Sequence, residues 1–143
     1  MRPVRRGPSP QATDFSPYTD AQHHLISRMG RYCSYCERPI ATQLAVEHIQ
    51  PKGLAAYAHL IGRWDNYLLG CVNCNSTKLN KDVILSTVLL PDRDNTFAAF
   101  AYTPDGKVEI RVLRDNNGVV AAQLQQAASQ AAGHGLRHTP PRR

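Results

Sequence analysis

Cysteine is scarce in this chain, confined to Cys33, Cys36, Cys71 and Cys74. Acidic residues are outnumbered as well: 11 Asp and Glu stand against 17 Lys and Arg, a formal net charge of +6. No stretch approaches the roughly 18 consecutive apolar residues of a membrane helix, so no spanning segment is expected. No early segment joins a basic start to an apolar run of about seven residues, so no signal peptide is expected either. Internal repeats are absent too. These absences suit a cytoplasmic protein, where reducing conditions leave thiols free for metal instead of pairing them as disulfides. At 143 residues the chain fits one modest domain with a thin apolar core, which a bound metal would reinforce. The basic excess, with a pI of about 9.4, favours a polyanionic partner such as nucleic acid.

What is present begins with the arrangement of those cysteines. They form two Cys-x-x-Cys pairs, and each pair makes a tight turn that offers two thiolates to one ion. Cys33, Cys36, Cys71 and Cys74 are therefore read as one tetrahedral structural Zn²⁺ site. Four thiolates close the coordination shell and leave no position for substrate, so this zinc scaffolds and does not catalyse.

The chain divides around that site. Residues 1–15 carry Pro3, Pro8 and Pro10 among Arg2, Arg5, Arg6 and Gly7, which reads as a flexible basic arm. Residues 16–30 read as an N-terminal helix. Ser16 would cap it, Pro17 would open it, Tyr18, Ala21, Leu25 and Met29 recur at helical spacing, and Gly30 would stop it. On that helix His23 and His24 point two ways and read as ordinary surface residues. Residues 31–82 hold both zinc turns, with a strand over 42–49, a long connection over 52–64 with a helical turn through Leu54–Ile61, and a short helix over 74–82. Trp64 is expected to anchor that connection in the core. Residues 83–132 read as an extension with a hairpin, Phe97–Tyr102 and Lys107–Leu113 around Pro104-Asp105-Gly106, and an Ala/Gln-rich helix over 119–132. Residues 133–143, with His134 and His138, form a basic tail.

Inside the zinc-framed segment lie residues suited to phosphodiester hydrolysis. Glu47 and His48 end an apolar strand, where a carboxylate and an imidazole are costly unless paired or at work. Neutral imidazole suits a base that deprotonates water near neutral pH, and Glu47 could hold the cation that offsets charge on the phosphorane. Adjacent residues of a regular strand face opposite ways, so both serve one site only if the strand bends; Pro51 and Gly53 favour that. Asn66 could bond backbone across the loop and orient His48. If a helix begins near Cys74, Asn75 and Lys78 share a face, an amide oxygen for Mg²⁺ or Mn²⁺ and a cation for phosphate. Each taken alone has a plainer reading, as a salt bridge, a turn, a cap or a solvated lysine. Arg63 and Lys52 carry no specific mark.

Together, Cys-x-x-Cys, Glu-His-x-x-Pro-Lys, Trp-Asp-Asn-x-Leu-Leu and Cys-x-x-Cys-Asn-x-x-Lys resemble the zinc-containing HNH endonucleases of the ββα-metal class. The resemblance covers residues 31–82 and implies an α+β fold: a ββα-metal (HNH) core stabilised by a four-cysteine zinc site, with an N-terminal helix and a C-terminal hairpin plus helix. Carried over by position, it implies His48 as general base and Glu47 as first ligand of a catalytic Mg²⁺ or Mn²⁺. It makes Asn66 the middle asparagine and puts Asn75 where the final histidine usually sits. Lys78 matches a lysine frequent in these nucleases. The expected activity is endonucleolytic, with DNA as the expected substrate. The Met1–Gly7 start, Tyr-Cys-Ser-Tyr-Cys-Glu and Leu-Pro-Asp-Arg-Asp-Asn-Thr-Phe further resemble bacterial defence-associated HNH proteins of retron and Septu type. That finer resemblance implies anti-phage defence and an ATPase partner. The alternatives are a non-catalytic zinc module that binds nucleic acid and a subunit that docks on a partner protein.

Overall fold

The structure, a computed structural model, describes residues 4–110. At its centre lies an antiparallel ribbon of β1 (Ala45–His48) and β2 (Tyr67–Gly70). Ala45 faces Gly70 across it, Val46 faces Leu69, Glu47 faces Leu68 and His48 faces Tyr67. The first strand is shorter than the expected 42–49, since Gln43 takes a left-handed φ of 58° that breaks the extended backbone before Ala45. Alternation also fails: Val46, Glu47 and His48 are all buried, because the ribbon is covered on both faces. Polar groups buried in succession need partners, and the partners define the site below.

The expected N-terminal helix resolves into a 3₁₀ turn, Tyr18–Ala21, and a helix α1 (Gln22–Met29). Ser16 does not cap it; Pro17, in extended backbone, stands at the start and offers no side-chain hydrogen bond. Ala21, Leu25 and Met29 are buried at the spacing the sequence shows. Gly30 ends α1 at φ 76°, a left-handed conformation that suits glycine. His23 is exposed and stacks on His24, which meets Phe15 and Trp64.

The flexible arm expected over residues 1–15 is corrected from Val4 onward. Val4 and Phe15 are buried in the main core beside Trp64, Tyr67 and Leu90. Arg6 donates to the Tyr67 carbonyl at 2.6 Å and pairs with Asp92 at 2.9 Å. The Trp64 indole N–H donates to the Gly7 carbonyl at 2.8 Å, and the Arg28 guanidinium lies over the same ring. Composition suggested a solvated tail, but an arginine can leave water when its forked donors all find acceptors. Trp64 is the core anchor the sequence suggests.

The connection after β1 carries a 3₁₀ turn, Ala55–Leu60, within the expected Leu54–Ile61. Beyond β2, helix α2 spans Val72–Lys78, starting two residues before the expected 74 because the Cys71 thiol caps it, accepting from the Cys74 N–H at 3.5 Å. In the extension, a short helix α3 (Thr96–Ala99) leads into β3 (Phe100–Tyr102), which pairs with β4 (Val108–Ile110) around the expected turn. The helix over 119–132, the tail with His134 and His138, and Arg2 lie outside the described residues. Among the described residues no helix is long and apolar enough to cross a membrane.

Candidate metal and catalytic centre

The four cysteines come together as expected. Cys33 and Cys36 sit on a turn that docks on β2, where the Ser34 N–H donates to the Leu69 carbonyl at 2.8 Å. Cys71 and Cys74 lie at the head of α2. Their ligand sulfurs all fall within 4.8 Å of one another, all four residues are buried, and none is in a disulfide. Thiolates around Zn²⁺ bind at about 2.3 Å, which puts them at such mutual distances in a tetrahedron. Crowding divides the protons among them: hydrogen bonding with Cys33 pulls Cys36 down to about 6 and pushes Cys33 up. Such a quartet yields its protons to a divalent cation, and the residues fit a structural zinc.

On the other side of α2 a cleft of about 370 Å³ opens. Glu47, His48, Asn75 and Lys78 all line it, with Tyr18 and Lys52 at its edge. Adjacent strand residues share this cleft because His48 is the last residue of β1 and the chain bends from Ile49. A ring nitrogen of His48 bonds the Ile61 carbonyl at 3.0 Å, and the Tyr67 hydroxyl donates to that same carbonyl at 2.6 Å. Tyr18 and Tyr67 hold the ring edge-on, with centroids 4.7 and 5.3 Å away. A carbonyl can only accept, so the nitrogen it meets carries the proton and the other is left basic. Burial lowers the His48 pKa below its ordinary 6.5, with the nearby charges of Lys52 and Lys78 adding to that; only the Ile61 bond opposes it. The imidazole is thus kept neutral.

Glu47 is 3% exposed. Its Oε1 meets the Lys78 ammonium at 2.8 Å, and the Tyr35 hydroxyl donates to Oε2. Burial raises the Glu47 pKa, while Lys78 and Tyr35 favour the charged carboxylate. Tyr35, buried against that carboxylate, is in turn pushed well above 10. Asn75 is exposed, and among the described residues its carboxamide has no partner. Gly70 lies between the two: a Cβ there would stand 3.1 Å from Glu47 Cβ and 3.9 Å from Asn75 Cβ. The missing side chain leaves room for the Glu47 and Asn75 side chains to start from either side of Gly70. Glu47 and Asn75 both line the cleft, with the carboxylate oxygens already engaged by Lys78 and Tyr35; a carboxylate and an amide would suit a hard cation that keeps most of its waters, as Mg²⁺ does.

Residues 33–81 match the family model of the HNH endonucleases. The match covers about a third of the chain and includes all nine residues singled out for zinc and catalysis. Comparison with curated proteins and with solved structures gives no match. The HNH segment points to nuclease chemistry on nucleic acid.

Within the HNH-matched segment Asn66 bonds backbone across the loop, as the sequence suggests, while Lys78 departs from its expected role. Asn66 does not touch the His48 ring. It is buried, accepts from the Gln50 N–H at 2.9 Å and donates to the Gln50 carbonyl at 3.0 Å. Its amide thus acts as a strand partner for backbone that has left the ribbon, and fixes the bend after His48. Lys78, expected to reach phosphate, is 1% exposed. Its ammonium is spent on Glu47 and on the His48 carbonyl at 2.6 Å. Arg63 is a surface residue, 3.8 Å from Asp14 and 3.5 Å from Asp65.

Sequence reasoning passed over Tyr35, Tyr67, Gly70 and the Ile61 carbonyl. Gly70 carried a signal, since glycine inside a strand marks a close approach. The Tyr67 and Ile61 contacts carried none, because they depend on how the long connection folds back.

Proposed function

We propose that this protein is a metal-dependent endonuclease that hydrolyses phosphodiester bonds of nucleic acid, with DNA as substrate. The observation that carries the reading is His48: buried, kept neutral, its ring pinned by the Ile61 carbonyl, and in one cleft with Glu47 and Asn75. His48 takes a proton from water through its basic ring nitrogen, and the resulting hydroxide attacks phosphorus. Glu47 and Asn75 would hold the divalent ion, Mg²⁺ or Mn²⁺, which supplies charge stabilisation at the phosphorane and the departing oxygen. Lys78 and Tyr35 keep the Glu47 carboxylate charged and aimed. Asn66 holds the bend that brings His48 to the cleft. Zinc on Cys33, Cys36, Cys71 and Cys74 fixes α2, and with it Asn75, against the ribbon.

The anti-phage role and ATPase partner belong to this proposal on the strength of three sequence segments, 1–7, 32–37 and 90–97. An ion pair between Arg6 and Asp92 joins the first and the last of them. Co-purification of an ATPase with the tagged protein from its own cells is the check on that part.

The nuclease reading is tested on supercoiled plasmid with Mg²⁺ or Mn²⁺, EDTA controls and His48→Ala at matched zinc content. Wild type should nick or cut only with metal. His48→Ala should lose about 10²–10⁴-fold in rate, the usual contribution of a positioned base. Equal cleavage by both proteins would remove His48 from the mechanism.

A further inference from the structure

We infer that Tyr18 and Lys52 form the phosphate-receiving edge of the cleft, so that a residue outside the HNH-matched segment completes the site; this rests on the nuclease reading of His48. Two lysines line the cleft, and they differ in what they can do. Lys78 is sealed in and bonded to Glu47 and the His48 carbonyl. Lys52 is exposed, and among the described residues it forms no ion pair.

Lys52 is nonetheless held in place. Its ammonium donates to the Tyr18 hydroxyl at 2.6 Å and lies 4.2 Å from the centroid of the same ring. A lysine on a solvated surface samples many rotamers, whereas this one is fixed by a hydrogen bond and a cation–π contact at once. Its partner is neutral, so the ammonium keeps its full charge for a third group. The Tyr18 oxygen accepts from Lys52, and its own proton has no acceptor among the described residues. The pair therefore presents two donors, N–H⁺ and O–H, side by side at the cleft edge. Two adjacent donors, one charged, match the non-bridging oxygens of a phosphodiester.

Position decides the rest. The Tyr18 ring meets the His48 ring edge-on at 4.7 Å, so a phosphate received there lies beside the base. Tyr18 thus has two jobs that can be separated: its ring fixes His48 and its hydroxyl fixes Lys52. The sequence marked Tyr18 only as a helix position, because nothing local shows a residue of the N-terminal turn reaching the end of β1.

The test is binding of a fluorescein-labelled DNA duplex by the full chain, followed by anisotropy over a salt series with EDTA, alongside plasmid cleavage. Lys52→Met should weaken binding about tenfold and reduce the salt slope by about one, as expected for one lost phosphate contact. Lys52→Arg should restore both. Tyr18→Phe, which keeps the ring, should weaken binding about threefold through the lost hydroxyl. His48→Ala should leave the salt slope unchanged while abolishing cleavage. An unchanged slope in Lys52→Met, or wild type that binds without salt dependence, overturns the phosphate edge. Cleavage that survives His48→Ala overturns the reading of His48 as the base instead, and the two failures are distinguishable.

Discussion

Helix α2 has the four cysteines on one side and the cleft on the other, and the two sides are built on opposite rules. Toward the zinc turn, four buried sulfurs lie within 4.8 Å of one another. Toward the cleft, one buried carboxylate and one exposed amide flank a glycine, and the space beyond is open. Four thiolates would complete the shell of a cation. A carboxylate and an amide would supply only part of one and leave the remainder to water and substrate. A small chain can thus use one ion as core and another as reagent, provided the ligands of the first are soft and enclosed and those of the second hard and open.

The largest expected effect breaks the enclosed side. Cys71→Ser, or prolonged chelation of zinc, should abolish cooperative thermal unfolding, since structural zinc contributes on the order of 10 kcal/mol to small domains. Circular dichroism and a zinc content of about one ion per chain would check it. A Cys71→Ser protein that melts like wild type would mean the quartet does not carry the fold.

Next comes the boundary between the two sides. Lys78→Met leaves a buried Glu47 carboxylate without its ammonium and should cost about 3–5 kcal/mol in denaturant unfolding. The double variant Glu47→Gln, Lys78→Met should recover part of that loss and remain inactive. This contrast would show the pair acting for function, since stability alone is as well served by neutral groups.

Reading that boundary from the sequence was not possible, and the reason is physical. Cys33, Cys36, Cys71 and Cys74 were legible because thiol chemistry and pair spacing leave few alternatives. Glu47, His48 and Asn75 were legible as donors, for the order of their types is rare in combination. Lys78 was legible as a residue and not as a role. A lysine on a short helix is usually solvated, and only the packing of α2 over Glu47 puts it in the interior. Asn66 was legible as a bond to backbone across the loop, and the bend at Ile49 selects Gln50 as its partner. The segment from Val4 to Phe15 misled for a related reason, as proline and arginine count toward disorder until Asp92 and the Tyr67 carbonyl stand opposite them.

Gly70→Ala sharpens the open side. The added Cβ would crowd Glu47 at 3.1 Å, tighter than ordinary contact, and overpacking of that kind costs about 1–3 kcal/mol. Mn²⁺ binding, followed by electron paramagnetic resonance, should weaken while zinc content stays at wild-type level. Equal loss of both metals would mean the two sides are not separate.

The smallest effect is in pH. With His48 as the proposed base its neutral form is the working one, so activity should be present above its folded-state pKa and fall as pH drops through it. Burial places that pKa below 6.5, so the acid limb of kcat/KM should have its midpoint under 6.5. A midpoint above that value would contradict a desolvated base.

The clasp between Arg6 and Asp92 bears on the order in which the molecule comes into being. Its two halves are 86 positions apart, so at roughly 5–20 residues per second a ribosome makes the first several seconds before the second. Trp64 and Tyr67, the other groups that receive this strand of chain, also emerge late. The segment from Val4 to Phe15 is thus made before the groups it docks on, and Tyr18 follows it out. A nascent chain carries no closed Arg6–Asp92 clasp until nearly all the described residues have been translated.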